Sequence, residues 1–172
     1  TYVEGASRTE AGDTRAEYFG SSVAIVGDTV VGGTSRDWVS IFRTTDGGAT
    51  YGQVAKLAYE YTGASFDGFV AIAGDTVVAG APNGEAAYVF LTSDGGATYD
   101  EVAKLTASDA AASDYFSKSV AIDSDTVVAG SPWDGDGGSN SGSIYVFHPT
   151  DGGASYGQVA KLTAADASSY NY

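Results

Sequence analysis

Cysteine and methionine are both missing from this 172-residue chain, and its single histidine, His148, has no cysteine or second histidine to join it. Without cysteine there is no disulfide framework, and redox compartment cannot be read from the sequence. A lone histidine is no ligand set for a transition metal, and His148, followed by Pro149, reads as a surface residue at a strand end. Positive charge is scarce as well: 8 basic residues face 22 acidic ones, for a net charge of −14. Such a chain repels phosphate backbones and anionic lipid surfaces, so nucleic acid is not expected as a partner. No apolar run approaches the roughly 18 residues of a membrane span, so no membrane insertion is expected. There is no Asn-x-Ser/Thr sequon, which leaves O-linked sugars as the decoration open to it. No glycine-rich loop leads into a helix to cradle a nucleotide, and no Ser-His-Asp arrangement can be assembled.

What is present is a repeat. Asp46-Gly-Gly-Ala-Thr-Tyr-Gly-Gln-Val-Ala-Lys-Leu57 returns as Asp94 to Leu105 and again as Asp151 to Leu162. Three near-copies make this a repeat protein, whose function follows from how its units stack and what their loops present. With 43% hydrophobic residues the chain can bury a core despite 24 glycines. Each unit reads as four short β-branched runs with no helical period. The first runs are Ser22 to Ile25, Phe69 to Ile72 and Ser119 to Ile122; the second are Asp28 to Val31, Asp75 to Val78 and Asp125 to Val128. Two residues separate them, the signature of a tight hairpin. Third runs end at Phe42, Phe90 and Phe147, and fourth runs at Leu57, Leu105 and Leu162.

Four antiparallel strands at a period near 50 residues match the blade of a β-propeller. The expected fold class is therefore all-β, with blades at 16–57, 65–106 and 115–163. Lys56, Lys104 and Lys161 fall at equivalent places on the fourth strand, where a lysine guards a sheet edge against unwanted pairing. Thr1 to Arg8 aligns with Thr50 to Leu57, so residues 1–15 read as the orphan fourth strand of a preceding blade, and 164–172 as the stub of a following one. Three blades fall short of the four that propellers need to close.

Phe19-Gly20 with Gly32-Gly33, Phe66-Asp-Gly68 with Gly80-Ala-Pro82, and Phe116 with Gly130-Ser-Pro132 resemble the FG-GAP repeat. The resemblance implies the propellers of integrin α chains and of secreted repeat proteins. It also departs from them, because calcium-binding blades of that kind carry an Asp-x-Asp-x-Asp-Gly loop between their first two strands, and here only two residues stand there. A second likeness is to the Asp-box of sialidase-like propellers, Ser/Thr-x-Asp-x-Gly-x-Thr/Ser-aromatic. Thr44, Asp46, Gly48, Thr50 and Tyr51 fit it, as do Thr92, Asp94, Gly96, Thr98 and Tyr99; the third copy has Pro149, Asp151, Gly153, Ser155 and Tyr156. The aspartates read as structural turn residues that bond backbone N–H groups of their own loop, not as catalytic carboxylates. All four arginines lie within the first 43 residues, so the arginine cluster of a sialidase is not to be had.

The long loop Ser131 to Gly142 is the remaining candidate site. Asp134, Asp136 and Asn140 offer oxygen ligands for Ca²⁺, and Trp133 a stacking face for a sugar ring. The alternative is a solvated loop whose tryptophan packs on a neighbouring blade. The functional expectation is a non-catalytic, extracellular or cell-surface module that joins copies of itself head-to-tail through Tyr2, Val3 and Arg8 at one boundary and Tyr170 and Tyr172 at the other. The alternative is a part of a larger propeller that binds a protein or a glycan, with Ca²⁺ as an accessory.

Overall fold

The computed structural model describes residues 18–35, 38–58, 69–151 and 155–168. They form three four-stranded antiparallel sheets, each built from strands consecutive in sequence. Blade 1 holds β1 (Val23–Val26), β2 (Thr29–Gly33), β3 (Trp38–Arg43) and β4 (Gly52–Ala58). Blade 2 holds β5 (Val70–Ala73), β6 (Thr76–Ala81), β7 (Ala86–Leu91) and β8 (Asp100–Leu105), with one 3₁₀ turn at Pro82–Gly84. Blade 3 holds β9 (Ser119–Asp123), β10 (Thr126–Ser131), β11 (Ser143–Pro149) and β12 (Tyr156–Leu162). The described strands are thus all β and of propeller type, as the repeat arithmetic requires.

Two-residue loops join the first two strands of every blade, and their first residues, Gly27, Gly74 and Ser124, have φ of 50°, 53° and 56°. Glycine takes this left-handed conformation freely, and Ser124 tolerates it in a hairpin. No room is left there for a six-residue calcium loop. One feature escaped the alternation pattern: the third and fourth strands slip register at the same place in each blade, between Ile41/Phe42, Val89/Phe90 and Val146/Phe147. Val54, Val102 and Val159 are the extra, unpaired residues of these bulges.

The strands alternate, so each blade has two apolar faces, and the core lies between blades. Val31, Val39, Ile41 and Leu57 of blade 1 meet Val70, Val77, Ala79, Tyr88 and Phe90 of blade 2 in one buried cluster. The opposite face of blade 2, with Val78, Ala87, Val89 and Leu105, meets Phe116, Val127, Ala129, Tyr145 and Phe147 of blade 3 in a second. Blade 2 therefore gives one face to the blade before it and the other to the blade after it. Burying a side chain of this size stabilises by about 1.5–3 kcal/mol, so the two joints are the main cohesive force of the arc.

Candidate functional site: the end faces and the Lys161 cluster

Strand register fixes which residues are equivalent. On the trailing face, Val39, Ala87 and Ile144 correspond, as do Leu57, Leu105 and Leu162, because each pair is matched across the third and fourth strands. Leu57 and Leu105 are 6% and 2% exposed, whereas Leu162 is 51% exposed and Ile144 45%. The leading face shows the reverse. Val70 is 7% exposed, but its blade 1 counterpart Val23 is 69% exposed, and Ile25 nearby 66%. Identical sequence positions thus end up in core or in solvent according to whether a neighbouring blade is there. A groove of about 660 Å³ runs along the uncovered trailing face, bordered by Ser119, Gly130, Pro132, Ile144, Leu162 and Ala164 among others.

Polar contacts at the joint between blades 2 and 3 show how such a face is completed. Glu85, at φ 49°, turns its carboxylate to accept from the amides of Tyr115 (3.0 Å) and Phe116 (2.7 Å). Ser117 is fully buried, donating from Oγ to the Ala86 carbonyl (2.5 Å) and accepting from the Ala81 amide (3.0 Å). A Cβ on Gly80 would fall 2.3 Å from the Ser117 carbonyl oxygen, so only glycine fits there. Neither Glu85 nor Ser117 belongs to the repeated motif, which is why the sequence pattern did not single them out.

The long loop of blade 3 closes around a lysine. Lys161 Nζ lies 2.6 Å from Asp109, 3.0 Å from Asp134 and 2.6 Å from Asp136. Asp134 is buried, and it also accepts from Ser143 Oγ (2.9 Å), Tyr145 Oη (2.8 Å) and the Asp136 amide (3.1 Å). Burial alone would lower the Lys161 pKa, but the three carboxylates outweigh it and raise it. Burial alone would raise that of Asp134, and its bonds to Lys161, Tyr145, Asp136 and Ser143 instead hold it below the usual range. The Lys161 bond holds Asp109 low as well. Burial pushes the Tyr145 hydroxyl up.

Two of the three expected calcium ligands, Asp134 and Asp136, therefore do converge, but on an ammonium group, and the third carboxylate of the group is Asp109. Asn140 sits in the same loop with φ 57°. Lys161 is correspondingly no solvent guard of the sheet edge: its side chain is 19% exposed. Its counterpart Lys56 lies over the Trp38 ring at 3.5 Å, and Lys104 is 5.7 Å from the Tyr88 ring centre. Trp133, 37% exposed, rests on Tyr115 at 4.8 Å between ring centres, at the lead-in to its own blade. His148 is exposed, 3.5 Å from Thr126 Oγ1.

At the repeated turns, Asp46 accepts from the Thr50 amide (2.9 Å), Thr50 Oγ1 (2.6 Å) and Thr44 Oγ1 (2.7 Å). Asp94 repeats these bonds with Thr98 and Thr92 (2.9, 2.7 and 2.8 Å). The Thr50 hydroxyl, with its amide and Thr44, holds Asp46 far below the ordinary carboxylate range, and the Thr98 amide leads the same effect on Asp94. Gly48 and Gly96 have φ of 94° and 90°. Asp151 accepts from the Ser155 amide at 2.7 Å, while Pro149 brings no hydroxyl in place of Thr44. Gly153 lies outside the described residues, as do Tyr2, Val3, Arg8, Tyr170 and Tyr172.

Residues 99–147 match the family described as FG-GAP repeat. The matched stretch runs from the fourth strand of blade 2 through the third strand of blade 3, so the chain carries an FG-GAP repeat on propeller-type blades. No curated protein sequence matches the chain. Among solved structures, Sqt1 of Saccharomyces cerevisiae is similar at a TM-score of 0.61 and 10% identity, over 88% of this chain and 37% of that one. The alpha-L-arabinofuranosidase Arb93A of Fusarium graminearum is similar at 0.50 and 12% identity, over 88% of this chain and 54% of that one. Both likenesses are of fold alone, and the chain spans about a third to a half of these structures.

Proposed function

We propose that this chain is a non-catalytic, extracellular repeat module that assembles head-to-tail through its two uncovered blade faces. The observation that carries the reading is the exposure of Val23 at one end and of Ile144 and Leu162 at the other, at positions where Val70, Val39, Ala87, Leu57 and Leu105 are buried inside the arc. A chain bearing both halves of one joint can close into a ring or propagate as a fibre. The acidic composition and the resemblance to secreted FG-GAP proteins support an extracellular setting, and the turn aspartates, bonded within their own loops, support a structural role. Sedimentation velocity over a wide concentration range, with and without Ca²⁺, tests it. Oligomers that grow with concentration are expected, and a chain monomeric throughout would refute the reading.

A second reading is favoured by the short span of the chain against the propellers it resembles: further blades of one longer chain cover both faces, and the whole binds a protein or glycan. Under that reading the isolated 172 residues carry no specific affinity for each other.

A further inference from the structure

We infer that the groove on blade 3 is a socket for the Phe19–Gly20 corner of a second copy of this chain. The inference rests on the assembly reading above and specifies its joint. Among the described residues the same corner is seen docked between blades 2 and 3. There the corner Phe116–Ser117 enters blade 2: Phe116 is fully buried in the cluster that contains Ala87, Leu105 and Ala107. Ser117 bonds Ala81 and Ala86, and its carbonyl lies over Gly80. Strand register carries Gly80, Ala81, Ala86 and Ala87 onto Gly130, Ser131, Ser143 and Ile144. Leu105 and Ala107 become Leu162 and Ala164. All six of these blade 3 residues border the one groove of about 660 Å³.

The fitting corner is already shaped on blade 1. Phe19 precedes Val23 by the same four residues that separate Phe116 from Val120. Phe19 meets Phe42 edge-on at 5.9 Å, as Phe116 meets Phe147 at 5.9 Å. The backbone repeats too: Tyr18 and Gly20 have φ of 42° and 86°, Tyr115 and Ser117 of 53° and 71°. The corner thus holds its inserted conformation, yet Phe19 is 59% exposed where Phe116 is fully buried. A preformed corner loses little entropy on docking. A hydroxyl also stands ready. At the first joint the Val70 amide donates to Ser22 Oγ at 3.2 Å, and Ser119 occupies the Ser22 position on the groove. It is placed to accept from the Val23 amide of the second copy. Two elements are missing: Gly20 has no hydroxyl to repeat the bonds of Ser117 Oγ, and the place of Glu85 is taken by Gly142, so the amides of Tyr18 and Phe19 find no carboxylate. The joint between copies is therefore weaker than the internal one, and reversible.

Cysteine crosslinking tests the register without background, since the chain has none of its own. A Ser22→Cys/Val70→Cys chain bridges intramolecularly and serves as the control. Mixed Val23→Cys and Ser119→Cys chains are expected to form a heterodimer about tenfold or more above either homodimer. Adding Phe19→Ala to the Val23→Cys copy lowers that yield by at least about tenfold, the loss expected of an aromatic anchor. If the chain sediments as oligomers but the mixed cysteines give no excess heterodimer, the socket assignment is wrong while assembly stands. If the chain stays monomeric and no crosslink forms, both fall. An intrachain bridge in Val23→Cys/Ser119→Cys would show closure within one chain and overturn the second copy as occupant.

Discussion

Lys161 occupies the position that a bound cation would take among Asp109, Asp134 and Asp136, and this gives it a pH signature. Replacing it by methionine leaves Asp134 buried without its counter-charge. The cost is about 2 kcal/mol at neutral pH, below that of a fully buried pair because Asp109 and Asp136 reach solvent. The folded-state pKa values of Asp109 and Asp134 are lowered, so their contribution is present above the unfolded value of about 4 and is lost as pH falls through the folded one. The pKa of Lys161 is raised, so its contribution is complete below about 10.4 and is lost only as pH rises through the folded value. Urea denaturation of wild type and Lys161→Met should therefore differ by a constant amount from about pH 5 to 9 and converge towards pH 2. Parallel curves down to pH 2 would contradict the ion cluster. Gly80 is the second sensitive residue. Gly80→Ala pushes a methyl against the Ser117 carbonyl and should cost about 2–3 kcal/mol, read as a lowered denaturation midpoint, because that backbone oxygen belongs to a fully buried residue and cannot swing aside.

At the scale of the strand, one leucine appears three times in three environments. Leu57→Ala and Leu105→Ala each remove a buried side chain and should cost about 2–5 kcal/mol. Leu162→Ala, at a half-exposed site, should cost under about 1 kcal/mol in dilute solution. In the assembled state the gap should narrow, since docking covers Leu162. Equal costs for all three in dilute chain would mean that something other than a second copy already covers the third blade. The strands themselves were legible: β-branched runs, two-residue hairpins and the Asp-Gly-Gly turns placed every described strand. The bulges were not, because Val54 reads as an ordinary alternating residue until its partner strand shows Ile41 facing Ala55 and Phe42 facing Gln53.

For the whole molecule, apolar faces and net charge oppose each other. Each copy carries −14, so copies repel at long range while their faces attract at contact. Raising the salt concentration from about 10 mM to 150 mM shortens the screening length from about 30 Å to 8 Å. Association should therefore strengthen with salt; an assembly dissolved by salt would be held by ion pairs and not by these faces. The candidate site was only half visible beforehand. The sequence pointed to unsatisfied ends, but assigned them to Tyr2, Val3, Arg8, Tyr170 and Tyr172, which lie outside the described residues. It also placed Asp134 and Asp136 together without revealing that Asp109 and Lys161, 25 and 27 residues from Asp134, complete the group.

Local chemistry by itself determined the repeat, the four-stranded blades and the turns, because hydrophobic alternation and glycine placement act between residues near in sequence. Tertiary structure alone decided which copies of one motif are buried. Leu105 and Leu162 stand in the same local sequence, and only the presence or absence of a packed blade separates them. Burial depends on what approaches a face through space, and no residue encodes that on its own.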